Sequence, residues 1–321
     1  MVKDNTAPAV KSPMNEYLDA VYQGRNEGWR YLLAAGLILF MWLIIGSIPV
    51  ALFAAYLMVD GNPDSNLSAS GFTGVNPLIA FLVTMSSFVL FFLAIYISIR
   101  FIHKRPFKSL VTPRSRINWK RLTIGFAFWF ILAGLISIFE DILYPGRYVL
   151  TFDATRFIIF AAFAILFIPI QASCEELFLR GYLMQGLGLR IRNIILLPVI
   201  SGLLFAVLHF GNPEMAATSG FWLLAASYFL IGVFAAVITL LDGGLELALG
   251  LHAANNLYTA LVANYTISAL PSASIFTVRE LDPLYGLISL VIGMILFYLL
   301  AFQIFPKAEA LPAAEVITSE D

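Results

Sequence analysis

An all-α, polytopic membrane fold with about eight transmembrane helices is the class this 321-residue chain predicts, and three observations carry it. Hydrophobic residues make up 60% of the chain and charged residues only 12%. The mean hydropathy of +0.87 is too high for a soluble domain. The second observation is a series of apolar runs, each near the roughly 20 residues a helix needs to cross a bilayer core. The third is punctuation: "DGNPDSN" (60–66), "YPGR" (144–147) and "FGNP" (210–213) cluster the residues that break helices between those runs.

Taken in order, residues 1–30 are polar and mixed in charge, with neither the apolar stretch nor the cleavage site of a signal peptide. They read as a short disordered cytoplasmic tail. Spans are expected at 31–58 and 77–102, and these two, with the basic segment that follows, form a unit over 31–118. Further spans at 122–143, 157–187, 193–211, 221–241, 246–265 and 284–305 form a six-span unit over 119–306, and 307–321 is a second tail. Orientation follows from Lys and Arg. The segment "IRFIHKRPFKSLVTPRSRINWKR" is densely basic, whereas "DGNPDSNLSASGFTGVN" holds neither Lys nor Arg. With Arg190, Arg192 and Lys307 this puts both termini in the cytoplasm, in a bacterial inner (plasma) membrane by the look of the short loops. The basic segment also suits contact with anionic membrane lipid.

A net charge near −1 gives no footing for a nucleic-acid partner. A single cysteine, Cys174, excludes an internal disulfide and a cysteine-cluster metal site. Oligomeric state is not written in the pattern.

Against the apolar background three polar clusters stand out. A charge near the bilayer centre costs roughly 2.5–3.5 kcal/mol on insertion scales, so such groups pair and usually serve function. In "CEELFLRG", Glu176 and Arg180 lie four apart on one helical face, acid first, the favourable order for an ion pair. Glu175 is turned about 100° away and faces elsewhere. The second cluster is Phe205-x-x-x-His209, and the third is His252-x-x-x-Asn256 with Asn255 alongside. Each alone suits interhelical hydrogen bonding. At about 1.5 Å per residue, however, all three fall at comparable depth, so a shared polar pocket is expected.

An acid, two imidazoles and an amide make a hydrolytic set. Glu175 can take a proton from water if it is ionised yet partly desolvated, with His209 holding the water or sharing the proton. His252 and Asn256 can stabilise the oxyanion of a tetrahedral intermediate, with Glu176, Arg180 and Phe205 in support. Glu175, His209 and His252 are equally candidates for a divalent metal such as zinc, although the H-E-x-x-H spacing is missing. Cys174 is a poor nucleophile, because a thiol in apolar surroundings stays protonated.

The segments "EELFLRG" (175–181), "FAVLHFGNP" (205–213) and "HAANNL" (252–257) resemble, in order and spacing, the three motifs of the CPBP family (CAAX proteases and bacteriocin-processing enzymes, or Abi proteins). The resemblance covers about residues 120 to 265. It implies an intramembrane endopeptidase acting on a peptide or membrane-protein substrate, with Glu175 activating water, His209 assisting and His252 and Asn256 around the oxyanion. It leaves glutamate-type and metal-dependent catalysis both open. Leu179 stands where Phe is commoner, a change of packing. Two other readings compete: a non-catalytic peptide-binding or bacteriocin-immunity protein, and an ion-coupled transporter, which would show paired halves with broken helices.

Overall fold

The computed structural model describes residues 12–68, 71–216 and 218–305. The expected C-terminal tail, Lys307 and the first eleven residues lie outside them.

Each predicted apolar run is a helix. They are α2 (Gly28–Leu57), α3 (Pro77–Ile102), α4 (Trp119–Leu143), α5 (Ala154–Leu187), α6 (Leu196–Leu208), α7 (Phe221–Asp242), α8 (Glu246–Leu261) and α9 (Pro283–Ile304), after a short α1 (Pro13–Asp19). All but α1, α6 and α8 are long and apolar enough to cross a membrane. The helices α6 and α8 are shorter than the predicted 193–211 and 246–265, because turns and strand take the ends. Outward faces carry Leu, Ile and Phe, such as Leu32, Leu135, Ile165 and Ile295, as lipid contact requires.

Sequence chemistry sets the boundaries. Asn76, Asn118, Asp153 and Asp282 each cap a helix by accepting a hydrogen bond from a first-turn backbone N–H, which satisfies donors the helix itself leaves open. Gly243 ends α7 at φ +66°, a left-handed turn that glycine takes without a Cβ penalty. At the end of the bundle away from the basic segment, three short strands close the loops. Here β5 (Phe276–Val278) lies between β3 (Tyr148–Leu150), antiparallel to it, and β4 (Ala263–Tyr265), parallel to it. A separate hairpin pairs β1 (Asn66–Ser68) with β2 (Gly71–Thr73).

Two helix pairs touch backbone to backbone. A Cβ added to Gly250 of α8 would sit 2.1 Å from the Leu122 carbonyl oxygen of α4, and one added to Gly125 of α4 would sit 2.4 Å from the Leu247 carbonyl oxygen. In the second pair, Gly232 of α7 lies against Gly202 and Phe205 of α6. Small residues let helices approach closely where lipid offers no hydrophobic drive. Gly250→Ala is therefore expected to cost about 1–3 kcal/mol through overpacking, seen as a lower thermal midpoint in detergent.

The disordered tail expected over residues 1–30 needs correction from Ser12 onward. Ser12 caps α1, and Tyr17, Leu18, Ala20 and Val21 are buried. The Tyr17 hydroxyl donates to the Leu110 carbonyl at 2.8 Å and lies 3.3 Å from the Arg180 carbonyl oxygen. Polar neighbours masked an apolar cluster whose partners come from distant spans. The basic segment is likewise only partly a surface. Arg105 turns inward, donating to Ser109 Oγ (2.7 Å) and Gln185 Oε1 (2.5 Å), and burial pushes its guanidinium down to about 10.

Candidate active site

Glu175, Glu176 and Arg180 all stand on α5, which carries Pro169 in its interior and widens to π geometry over Leu177–Met184. Such widened turns are frequent at functional sites. Arg180 is fully buried and Glu176 is 1% exposed. Arg180 Nη1 donates to Glu176 Oε1 at 2.9 Å, and Nη2 donates to the Gly232 carbonyl at 2.8 Å. The guanidinium lies over the Phe205 ring, 4.8 Å from its centroid, a cation–π contact. The ion pair expected from the spacing is thus present, and the tight α6–α7 contact supplies the third partner.

Glu176 also reaches across to α8. His252 Nδ1 lies 2.9 Å from Glu176 Oε1, and because a carboxylate only accepts, His252 donates from Nδ1. On α6, His209 Nδ1 lies 2.7 Å from the Phe205 carbonyl oxygen, so it donates there too. Both rings turn Nε2 inward, and a neutral imidazole that donates from Nδ1 carries no hydrogen on that atom. Those nitrogens lie 3.9 Å (His209) and 3.7 Å (His252) from Glu175 Oε2. Glu175 Oε2 is buried without a hydrogen-bond partner among the described residues. Three acceptor atoms thus face one another. Tyr228 stacks on His209 at 4.3 Å between centroids, and Phe205 packs on its ring at 4.3 Å and edge-on to His252 at 5.8 Å.

The other Glu175 oxygen, Oε1, accepts from Gln171 Nε2 at 2.5 Å, and Gln171 Oε1 accepts from Asn256 Nδ2 at 2.8 Å. Asn256 keeps a second N–H free of that bond. All these residues line one cavity of about 300 Å³, which also takes in Trp42, Glu214 and Asn255.

The structure thus brings Glu175, His209, His252 and Asn256 together, with Glu176, Arg180 and Phe205 behind them. Cys174 stays apart, its Sγ 3.3 Å from the Phe88 carbonyl oxygen. Cys174→Ala is expected to leave turnover near normal in any peptide-cleavage assay. Three lining residues escaped the sequence reading. Gln171, four before Glu175, carried a legible signal in its helical spacing. Glu214 sits just after "FGNP" and reads as turn chemistry; it accepts from Tyr228, from Asn212 Nδ2 (3.0 Å) and from the Ala269 backbone N–H (2.9 Å). Tyr228 looked like one more aromatic of an apolar span.

Among the described residues no three or more His, Cys, Asp or Glu side chains gather as a metal-ligand group. Ligands of tetrahedral zinc, with bonds of about 2.0–2.1 Å, stand about 3.3 Å apart. Glu175 Oε2 stands 3.9 and 3.7 Å from the two imidazole nitrogens, a little wider than that spacing.

Residues 154–258 match the family described as Rce1-like, type II CAAX prenyl endopeptidase. Over 276 residues the chain is 33% identical to the uncharacterized protein YyaK of Bacillus subtilis strain 168, covering 85% of this chain and 90% of that one. No solved structure matches it. The matched segment runs from the start of α5 into α8 and holds Glu175, Glu176, Arg180, Phe205, His209, His252 and Asn256, while Trp42 of the cavity wall lies outside it. With its membrane-crossing helices, the chain belongs to the CPBP family of CAAX proteases and bacteriocin-processing enzymes, and it is an integral membrane protein of protease type.

Proposed function

We propose that the chain hydrolyses a peptide bond of a membrane-associated substrate within this cavity, with Glu175 activating the water. The observation that carries the reading is the meeting of Glu175 Oε2 with two imidazole Nε2 atoms at 3.7 and 3.9 Å. These gaps are too long for direct hydrogen bonds and suit one water oxygen between the groups. Such a water donates one proton towards Glu175 Oε2 and the other to His209 Nε2, leaving its lone pair for attack.

As the water oxygen bonds to the scissile carbonyl carbon, its proton passes to Glu175 and the carbonyl π electrons move to oxygen. The uncommitted Asn256 N–H can donate to that oxyanion. His252 can do so only when Nε2 carries a proton, since the neutral ring that donates from Nδ1 to Glu176 has no hydrogen there. Collapse of the intermediate expels the amine, which takes its proton back from Glu175, restoring the enzyme.

The positive-inside bias supports cytoplasmic termini in a bacterial inner membrane. The substrate is a peptide or membrane protein, processed for maturation, immunity or release of a factor. Comparing membrane-derived peptides from cells with wild-type protein and with Glu175→Gln tests the reading. A full-length species that accumulates only in the variant is the expected result. Identical peptide sets would sink it.

A further inference from the structure

Five side chains make one uninterrupted file through the bundle. Trp129 Nε1 on α4 donates to Asn255 Oδ1 on α8 at 3.1 Å. Asn255 Nδ2 donates to Asn256 Oδ1 at 3.1 Å, then Asn256 Nδ2 to Gln171 Oε1 and Gln171 Nε2 to Glu175 Oε1. The two ends fix its direction. An indole N–H can only donate, and a carboxylate can only accept. Each amide between them is therefore held in one of its two flip states. Asn255 and Asn256, adjacent on α8, point to different sides of that helix, and Asn255 lines both the active-site cavity and a second one of about 210 Å³ that Trp129 also lines. The close α4–α8 contact at Gly125 and Gly250 brings the indole within reach.

We propose that Trp129, Asn255 and Gln171 are positioning residues: they set the flip state of Asn256 and hold Glu175 for its work. The chain presents the Asn256 N–H groups, rather than its carbonyl oxygen, towards Gln171 and the cavity. It also ties down Glu175 Oε1, so that Oε2 is the oxygen facing the imidazoles. Without the indole donor, Asn255 is free to turn over, and Asn256 loses the bond that orients its oxygen. The inference rests on the proposed role of Glu175, but the resonance arm of its test does not.

Only five tryptophans are present, so protein in micelles, labelled with ¹⁵N at the indole nitrogen, gives a spectrum in which Trp129→Phe assigns the Trp129 resonance. Gln171→Leu, which touches no atom of Trp129 by hydrogen bond, is expected to shift that resonance and speed its solvent exchange, as Asn255→Ala does directly. With the peptide that accumulates in Glu175→Gln cells as substrate, Trp129→Phe is expected to lower kcat about three- to tenfold, the value of one hydrogen bond, at unchanged KM. If Gln171→Leu leaves the resonance in place while Asn255→Ala moves it, the proposal is overturned. Wild-type kcat in a folded Trp129→Phe variant overturns it equally. A responsive resonance together with undiminished processing by Glu175→Gln instead leaves the chain standing and removes the water-activating role of Glu175.

Discussion

Glu175→Gln is expected to lower turnover by about 10²–10⁴-fold, the range a positioned general base contributes, while its thermal midpoint equals or exceeds that of the wild type. The reason lies in the three acceptors that face one another. Glu175 Oε2 and the Nε2 atoms of His209 and His252 are held together with no direct hydrogen bond between them. An amide nitrogen in place of Oε2 donates to an imidazole and relieves that opposition, and the amide oxygen still accepts from Gln171. A site arranged for reaction is often relieved by the substitution that silences it. Purified variant and wild type would be compared for cleavage and for unfolding midpoint. Undiminished cleavage returns the chain to a role in which the carboxylate does no chemistry. A lower midpoint with lost cleavage makes the carboxylate structural.

Arg180→Ala is expected to be the most damaging single change to folding, at about 3–5 kcal/mol. It removes the donor to Glu176 and to the Gly232 carbonyl and the cation over Phe205. What remains is a buried carboxylate whose other partner, His252, belongs to the site. The cost is mostly that of the stranded charge, so the pair Glu176→Gln with Arg180→Met should recover much of the yield that Arg180→Ala loses. Arg180→Lys should fall between, since an ammonium lacks the planar fork that serves both acceptors. Monodisperse yield and midpoint in detergent measure the order. Full yield with no cleavage in Arg180→Ala would instead make the guanidinium a direct participant.

The bilayer imposes one strong rule, backbone satisfaction inside each apolar run, and for that reason the helices and their order were legible in the sequence. The pairing of Glu176 with Arg180, and the turning of Glu175 away from it, followed from helical spacing alone. Other features needed partners far along the chain. Which imidazole nitrogen faces inward depends on the Phe205 carbonyl for His209 and on Glu176 for His252, and no local pattern encodes either. Gln171 and Trp129 matter through residues 85 and 126 positions away. The burial of α1 depends on the same kind of distant contact.

That last point bears on the order in which the chain is made. The helix α1 leaves the ribosome long before the residues it packs on. Leu18 lies against Gly188, Asp19 pairs with Arg192 at 2.7 Å, and Pro13 lies beneath Gly243 at the end of α7. Such contacts between sequence-distant segments form late and slowly. The N-terminal segment is thus a clasp across the ends of α5 and α7, and its Tyr17 hydroxyl donates to the Leu110 carbonyl and lies 3.3 Å from that of Arg180.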